Sequence, residues 1–210
     1  MALLLASITT SAGLFGKSAP APPAIPDPVF APEAFYAPIT LQWAIGLFIL
    51  QLVMQILIAY SGTKYAAKAG LVAHQICVFF PFMYSSVRGT YLLFFDAEIA
   101  VMTAGTYTDR LYGFHQATWE MNYYFLGFQI YDLLATILEP SLRNPVHGMH
   151  HGLSLLTALA GLSGPKLQWY CPFFFGFVEV SSVPLGFVDL FRAVPPEQGS
   201  FLGTVSAQHE

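Results

Sequence analysis

Charge is what this chain has least of. Only 10% of its 210 residues are charged, eight Lys or Arg and twelve Asp or Glu, against about a quarter in a soluble domain. Apolar residues reach 55% and mean hydropathy is +0.57, so most of the surface faces something other than water. Composition therefore predicts an all-α polytopic membrane protein, a helical bundle of about 5–6 transmembrane helices. The net charge of −4 is scattered, with no basic stripe, which excludes nucleic acid as a partner. Cysteine is almost absent. Cys77 and Cys171 both fall in apolar segments and read as packed thiols rather than a disulfide. The lack of any CxxC spacing excludes metal chelation by cysteine. No internal repeat is visible, which argues against an inverted-repeat transporter.

What is present is a series of apolar segments. Met1 to Gly16 is apolar, but the first basic residue is Lys17, the wrong order for a secretory signal. Ser18 to Pro38 holds seven prolines and reads as an extended linker. The first span, Ile39 to Tyr60, is free of charge over 22 residues, long enough for a hydrocarbon core of about 30 Å. A second span is expected from Gly70 to Val87, ending at Arg88. Thr90 to Thr106 carries Asp96 and Glu98 and reads as a span, a re-entrant piece or an interfacial helix. Further spans are expected over Ala117–Leu138, Val146–Gly161 and Leu167–Phe191, the last kinked at Pro184. Residues 193–210 form a polar tail. Lys64 and Lys68 favour a cytoplasmic first loop.

Histidine is also scarce, six in all, yet His147, His150 and His151 crowd the start of one span. Positions i, i+3 and i+4 share a helix face, and titratable groups at membrane depth are functional candidates by default. The His147–His151 pair has a metal-chelating spacing suited to zinc or iron. Membrane di-iron enzymes share His-x-x-His-His but need several such boxes, and this chain has one. Besides His74 it has only His115 and His209 left to offer, so no metal and no cofactor is implied. An imidazole can instead shuttle protons or accept an acyl group near neutral pH, provided a carboxylate orients it. Asp132 and Glu179 are the acids available in neighbouring spans. Gln129, three residues before Asp132, shares its face. The alternative roles are structural: His147 bonding headgroups, His74 and Asp132 making interhelix bonds, Glu179 bonding Ser182, and Arg88 snorkelling to the interface.

These fragments, in order, resemble the TLC-domain family, which includes ceramide synthases and translocating-chain-associated membrane proteins. They are Lys64-Tyr65 with His74, Asp109-Arg110-Leu111-Tyr112-Gly113, Gly127-Phe128-Gln129-Ile130-Tyr131-Asp132-Leu133, His150-His151-Gly152-Leu153-Ser154-Leu155 and Glu179-Val180-Ser181-Ser182-Val183-Pro184. The resemblance covers residues 61–192. It implies an endoplasmic-reticulum membrane protein of lipid metabolism, with membrane lipids as partners and, for an enzyme, acyl-CoA and a lipid amine or alcohol. It places catalysis on His150, His151 and Asp132, and lipid binding on His74, Glu179 and Gln129. The segment around Glu179 lies closer to the non-synthase branch, whose members regulate lipid composition or assist other membrane proteins. The family core continues past this segment, so an incomplete core is expected.

Overall fold

A computed structural model describes residues 31–164 and 166–195. The apolar amino terminus, most of the proline-rich stretch, His209 and the tail from residue 196 lie outside the described residues. Those described are helical, with no strand among them.

Proline starts helices here instead of preventing them. The end of the expected linker folds as α1 (Ala31–Tyr36), with Pro32 in its first turn, and Pro38 opens α2 (Pro38–Ala59). A first-turn proline gives up an N–H that has no helical acceptor anyway. After a loop that turns at Gly62, with φ of 67°, a 3-10 turn (Lys64–Lys68) leads into α3 (Ala69–Phe95). This helix runs through Arg88, where the sequence predicts its end. Arg88 is only half-buried, and a guanidinium on a long stem need not terminate a helix. The next stretch does not continue as a span. Asp96 breaks it and caps α4 (Ala97–Ala104), its Oδ1 accepting from the N–H groups of Glu98 at 2.9 Å and Ile99 at 3.0 Å. A capping box, Thr106 with Asp109, opens α5 (Tyr107–Tyr112).

Then come α6 (Gln116–Leu138) and α7 (Pro145–Leu162), within a residue of the expected limits. The last expected span is broken. It consists of α8 (Cys171–Phe174), a 3-10 turn (Phe177–Val180) and α9 (Ser182–Ala193), with a 42° bend. The break falls at Ser181, which leaves Pro184 in the first turn of α9, where its missing N–H is tolerated.

Among the described residues, two helices are long and apolar enough to cross a membrane, α2 and the stretch Lys64–Phe95, and the bent pair makes a third if counted as one span. That is fewer than the 5–6 expected from sequence. Helices α6 and α7 fall short because they carry polar residues. In α6 the reason is burial: Thr118, Asn122, Gln129, Asp132 and Thr136 all face protein. A helix walled by other helices need not be apolar toward lipid. Around it pack α2, α3 and α7, and Leu126, Phe128 and Tyr131 have no exposed surface. Close approach of α2 requires Gly127, because a Cβ there would collide with the Thr40 carbonyl. By contrast α2 leaves Ile45, Ile49, Leu52, Ile56 and Leu57 exposed, the surface of a lipid-facing helix.

Candidate functional site

A polar layer crosses four helices, and Asp132 is its centre. Asp132 sits on α6 six positions before Leu138, about 9 Å from that helix end at about 1.5 Å per residue. His74 on α3 lies the same number of positions from Lys68. The layer therefore lies near the ends of these helices, on the side of Lys64, Lys68 and the start of α7.

Asp132 is 2% exposed and held between two imidazoles. Its Oδ1 lies 3.2 Å from His74 Nε2, and its Oδ2 lies 3.1 Å from His151 Nδ1. Neither approach is aligned as a directional hydrogen bond, so Asp132 has a close charge contact on each side. Both interactions are mainly electrostatic, and a buried carboxylate needs such partners.

Proton accounting assigns roles to the ring nitrogens. His151 Nδ1 faces two acceptors, Asp132 Oδ2 and, at 3.2 Å, Gln129 Oε1. Its hydrogen bond is to Gln129 Oε1, which accepts, so Nδ1 is the donor, and in the neutral ring Nε2 keeps its lone pair. On the other side the Tyr131 hydroxyl donates to Gln51 Oε1 on α2. Its oxygen must then accept from His74 Nδ1, 3.2 Å away. Both nitrogens of His74 therefore face oxygens, Tyr131 on one side and Asp132 on the other.

The sequence-derived residues separate. His74, Gln129, Asp132 and His151 are brought together by α3, α6 and α7. His150 is not part of that contact set. It is exposed, as is His147, and its ring packs against that of His151 with centroids 5.4 Å apart. The separation follows from helix geometry, since adjacent residues point about 100° apart. Glu179 is buried and accepts from the Ser182 hydroxyl at 2.6 Å, the structural role open to it from sequence. Among the described residues no group of three or more His, Cys, Asp or Glu side chains is arranged to hold a metal ion.

Two members of the layer, Tyr131 and Gln51, are not singled out by sequence reasoning. The signal for Gln51 is an amide inside a charge-free span, which in a membrane helix asks for a partner, but Gln42 and Gln55 carry the same signal. Tyr131 carries no comparable signal, since tyrosine also serves as core packing. His115 and Asp96 form a further pair. His115 Nδ1 accepts from the Thr118 N–H at 3.2 Å, capping α6, and Nε2 lies 3.2 Å from Asp96 Oδ1.

The grooves lie elsewhere. One of about 260 Å³ runs between α3 and α9, lined by Gln75, Phe79, Ser182, Gly186 and Phe187 among others. A second, of about 340 Å³, lies between α5, the end of α7 and α8. Comparison with models of known protein families, with curated proteins and with solved structures finds no match for this chain.

Proposed function

We propose that this chain is a multi-pass endomembrane protein that acts on acyl lipids, with His151 as its general base. The observation that carries the reading is the Nε2 of His151, whose opposite nitrogen is bonded to Gln129 Oε1 with the Asp132 carboxylate 3.1 Å away. A carboxylate behind one ring nitrogen fixes the tautomer and stabilises the imidazolium that forms when the other takes a proton. In this reading Nε2 removes a proton from a lipid amine or hydroxyl. The resulting nucleophile attacks the acyl carbonyl of a thioester or ester. The carbonyl carbon's bond to sulfur or oxygen breaks, and His151 returns the proton to the departing thiol or alcohol. His74 holds the Asp132 carboxylate in place. The position of the layer near the helix ends lets a polar headgroup or a soluble acyl-CoA meet it from the membrane surface. Helices α6 and α7 act as further spans beside α2, α3 and the bent pair, and the endoplasmic reticulum is the compartment suggested by the likeness to TLC-domain proteins.

A second reading is favoured by one observation. The grooves described above and those along the outer face of α3 are lined by other residues, not by His74, Asp132 or His151. A polar layer set apart from these four grooves suits a non-catalytic protein in which the layer clamps four helices together. Such a protein would regulate lipid composition or assist other membrane proteins.

Acylation assays on the purified full-length chain separate the two. Acyl-CoA is offered with lipid amines or alcohols to wild type, His151→Ala and His150→Ala. Acyl transfer that falls about 10²-fold or more in His151→Ala, and much less in His150→Ala, supports the base. Wild-type turnover that survives His151→Ala removes the base assignment, and no turnover with any acceptor favours the clamp.

A further inference from the structure

Arg88 is a cation at membrane depth that the polar layer does not use. It lies on α3 twenty positions after Lys68, about 30 Å along the axis at about 1.5 Å per residue. That distance equals the thickness of a hydrocarbon core. With Lys64 and Lys68 at one interface, Arg88 is placed at the other. The lysines are engaged, Lys64 Nζ donating to the Pro195 carbonyl at 3.0 Å and Lys68 Nζ to that of Ala193 at 2.7 Å. Arg88 differs. Among the described residues no hydrogen bond holds its guanidinium and no carboxylate oxygen lies within 4.0 Å of it.

Its neighbours at i−4 and i+3 are Tyr84 and Tyr91, on the same helix face. Both tyrosines are exposed, and no hydrogen bond holds either hydroxyl among the described residues. The three side chains line one concave surface of about 450 Å³ together with Met83 and Val87. Trp43 joins them from α2, its ring centroid 5.8 Å from that of Tyr84. Tryptophan and tyrosine gather where hydrocarbon meets headgroups, which gives a second, independent indication of the depth of Arg88.

We propose that the Tyr84–Arg88–Tyr91 face of α3 binds the phosphate of an anionic membrane phospholipid, whose acyl chains lie along Met83 and Val87. A guanidinium presents paired donors that match phosphate oxygens, and two free phenol hydroxyls flank it. The lining contains no carboxylate to receive the ammonium of a zwitterionic headgroup. Its apolar walls suit a lipid rather than a free anion. This site needs α3 to cross the membrane and is independent of the chemistry at Asp132.

The test uses the full-length chain in neutral detergent, titrated with phosphatidylglycerol and with phosphatidylcholine of the same acyl chains and read by native mass spectrometry. Phosphatidylglycerol is expected to bind about tenfold or more tightly. That preference is expected to vanish in Arg88→Gln, to weaken several-fold in Arg88→Lys, which keeps the charge but loses the fork, and to weaken less in Tyr84→Phe. Equal binding of the two lipids by wild type overturns the proposal. So does a preference that persists in Arg88→Gln, or competition by millimolar inorganic phosphate equal to that of the lipid. Thermal unfolding checks that the variants fold. Should Arg88→Gln not fold, the wild-type comparison and Arg88→Lys decide, and an undiminished preference in the lysine variant overturns the recognition by the guanidinium.

Discussion

Two histidine–aspartate pairs in this protein have the same separation and opposite causes. His115 Nε2 lies 3.2 Å from Asp96 Oδ1, and His74 Nε2 lies 3.2 Å from Asp132 Oδ1. In the first pair each side chain answers a backbone demand. Asp96 accepts from the first N–H groups of α4, and His115 from the Thr118 N–H at the start of α6. Helix starts have unpaired donors, and these side chains satisfy them. In the second pair no such demand exists, because His74 and Asp132 lie inside helices whose backbones bond to themselves. Among the described residues their polar atoms are supported by one another, by His151 and through Tyr131. A His–Asp distance alone therefore does not identify a site. The position of each partner in its helix does, because a mid-helix carboxylate needs a reason that a cap already has.

The largest test of this contrast is chemical. Asp132→Asn should lower any acyl-transfer activity by about 10²–10⁴, as general-base positioning is lost, while Asp96→Ala should leave turnover per folded molecule unchanged. Steady-state kinetics on both variants measure this, and equal losses would erase the distinction. Next in size is Tyr131→Phe, which removes the hydroxyl between Gln51 and His74. Leaving those buried groups without a partner should destabilise the fold by about 1–3 kcal/mol, read as a lowered thermal midpoint in detergent. An unchanged midpoint would mean that the layer adds nothing to stability.

On the cap side, Asp96→Ala should cost about 1 kcal/mol, again by thermal unfolding and with no change in activity. Asp109 should show the smallest effect. The Thr106 hydroxyl, at 2.7 Å, and its backbone N–H hold the Asp109 carboxyl below its ordinary range. A lowered folded value means that this capping contribution is present above the unfolded value and is lost as pH falls through the folded one. Amide exchange at Thr106 and Asp109 should therefore quicken in acid beyond the solvent trend, and Asp109→Asn should flatten that dependence.

The helices were easier to read from sequence than the layer between them. Pro38–Ala59, Gln116–Leu138 and Pro145–Leu162 fall within a residue of the apolar segments that announce them, because apolar runs and prolines act locally. Where a polar side chain interrupts a run, local reading divides. Arg88 does not end its helix, whereas Asp96 does, since aspartate competes for backbone N–H groups and arginine does not. Two or three spans pass on apolarity alone, against 5–6 expected from sequence, for a related reason. The polar residues of α6 are sheltered by its neighbours, and sequence does not display those neighbours.

The site divides the same way. Asp132, Gln129 and the histidines stand out because polar groups are rare in such company. That His151 rather than His150 meets Asp132 is a matter of about 100° of helix rotation, decided by how α7 packs on α6. That Tyr131 links His74 to Gln51 depends on α2 approaching closely over Gly127. By itself the sequence determined an all-helical, lipid-facing chain and a short list of residues too polar for their surroundings, because propensity and hydropathy act along the chain. Only the tertiary structure decided which of those residues share one carboxylate, because hydrogen bonds require a few tenths of an ångström and that precision comes from packing between helices distant in sequence.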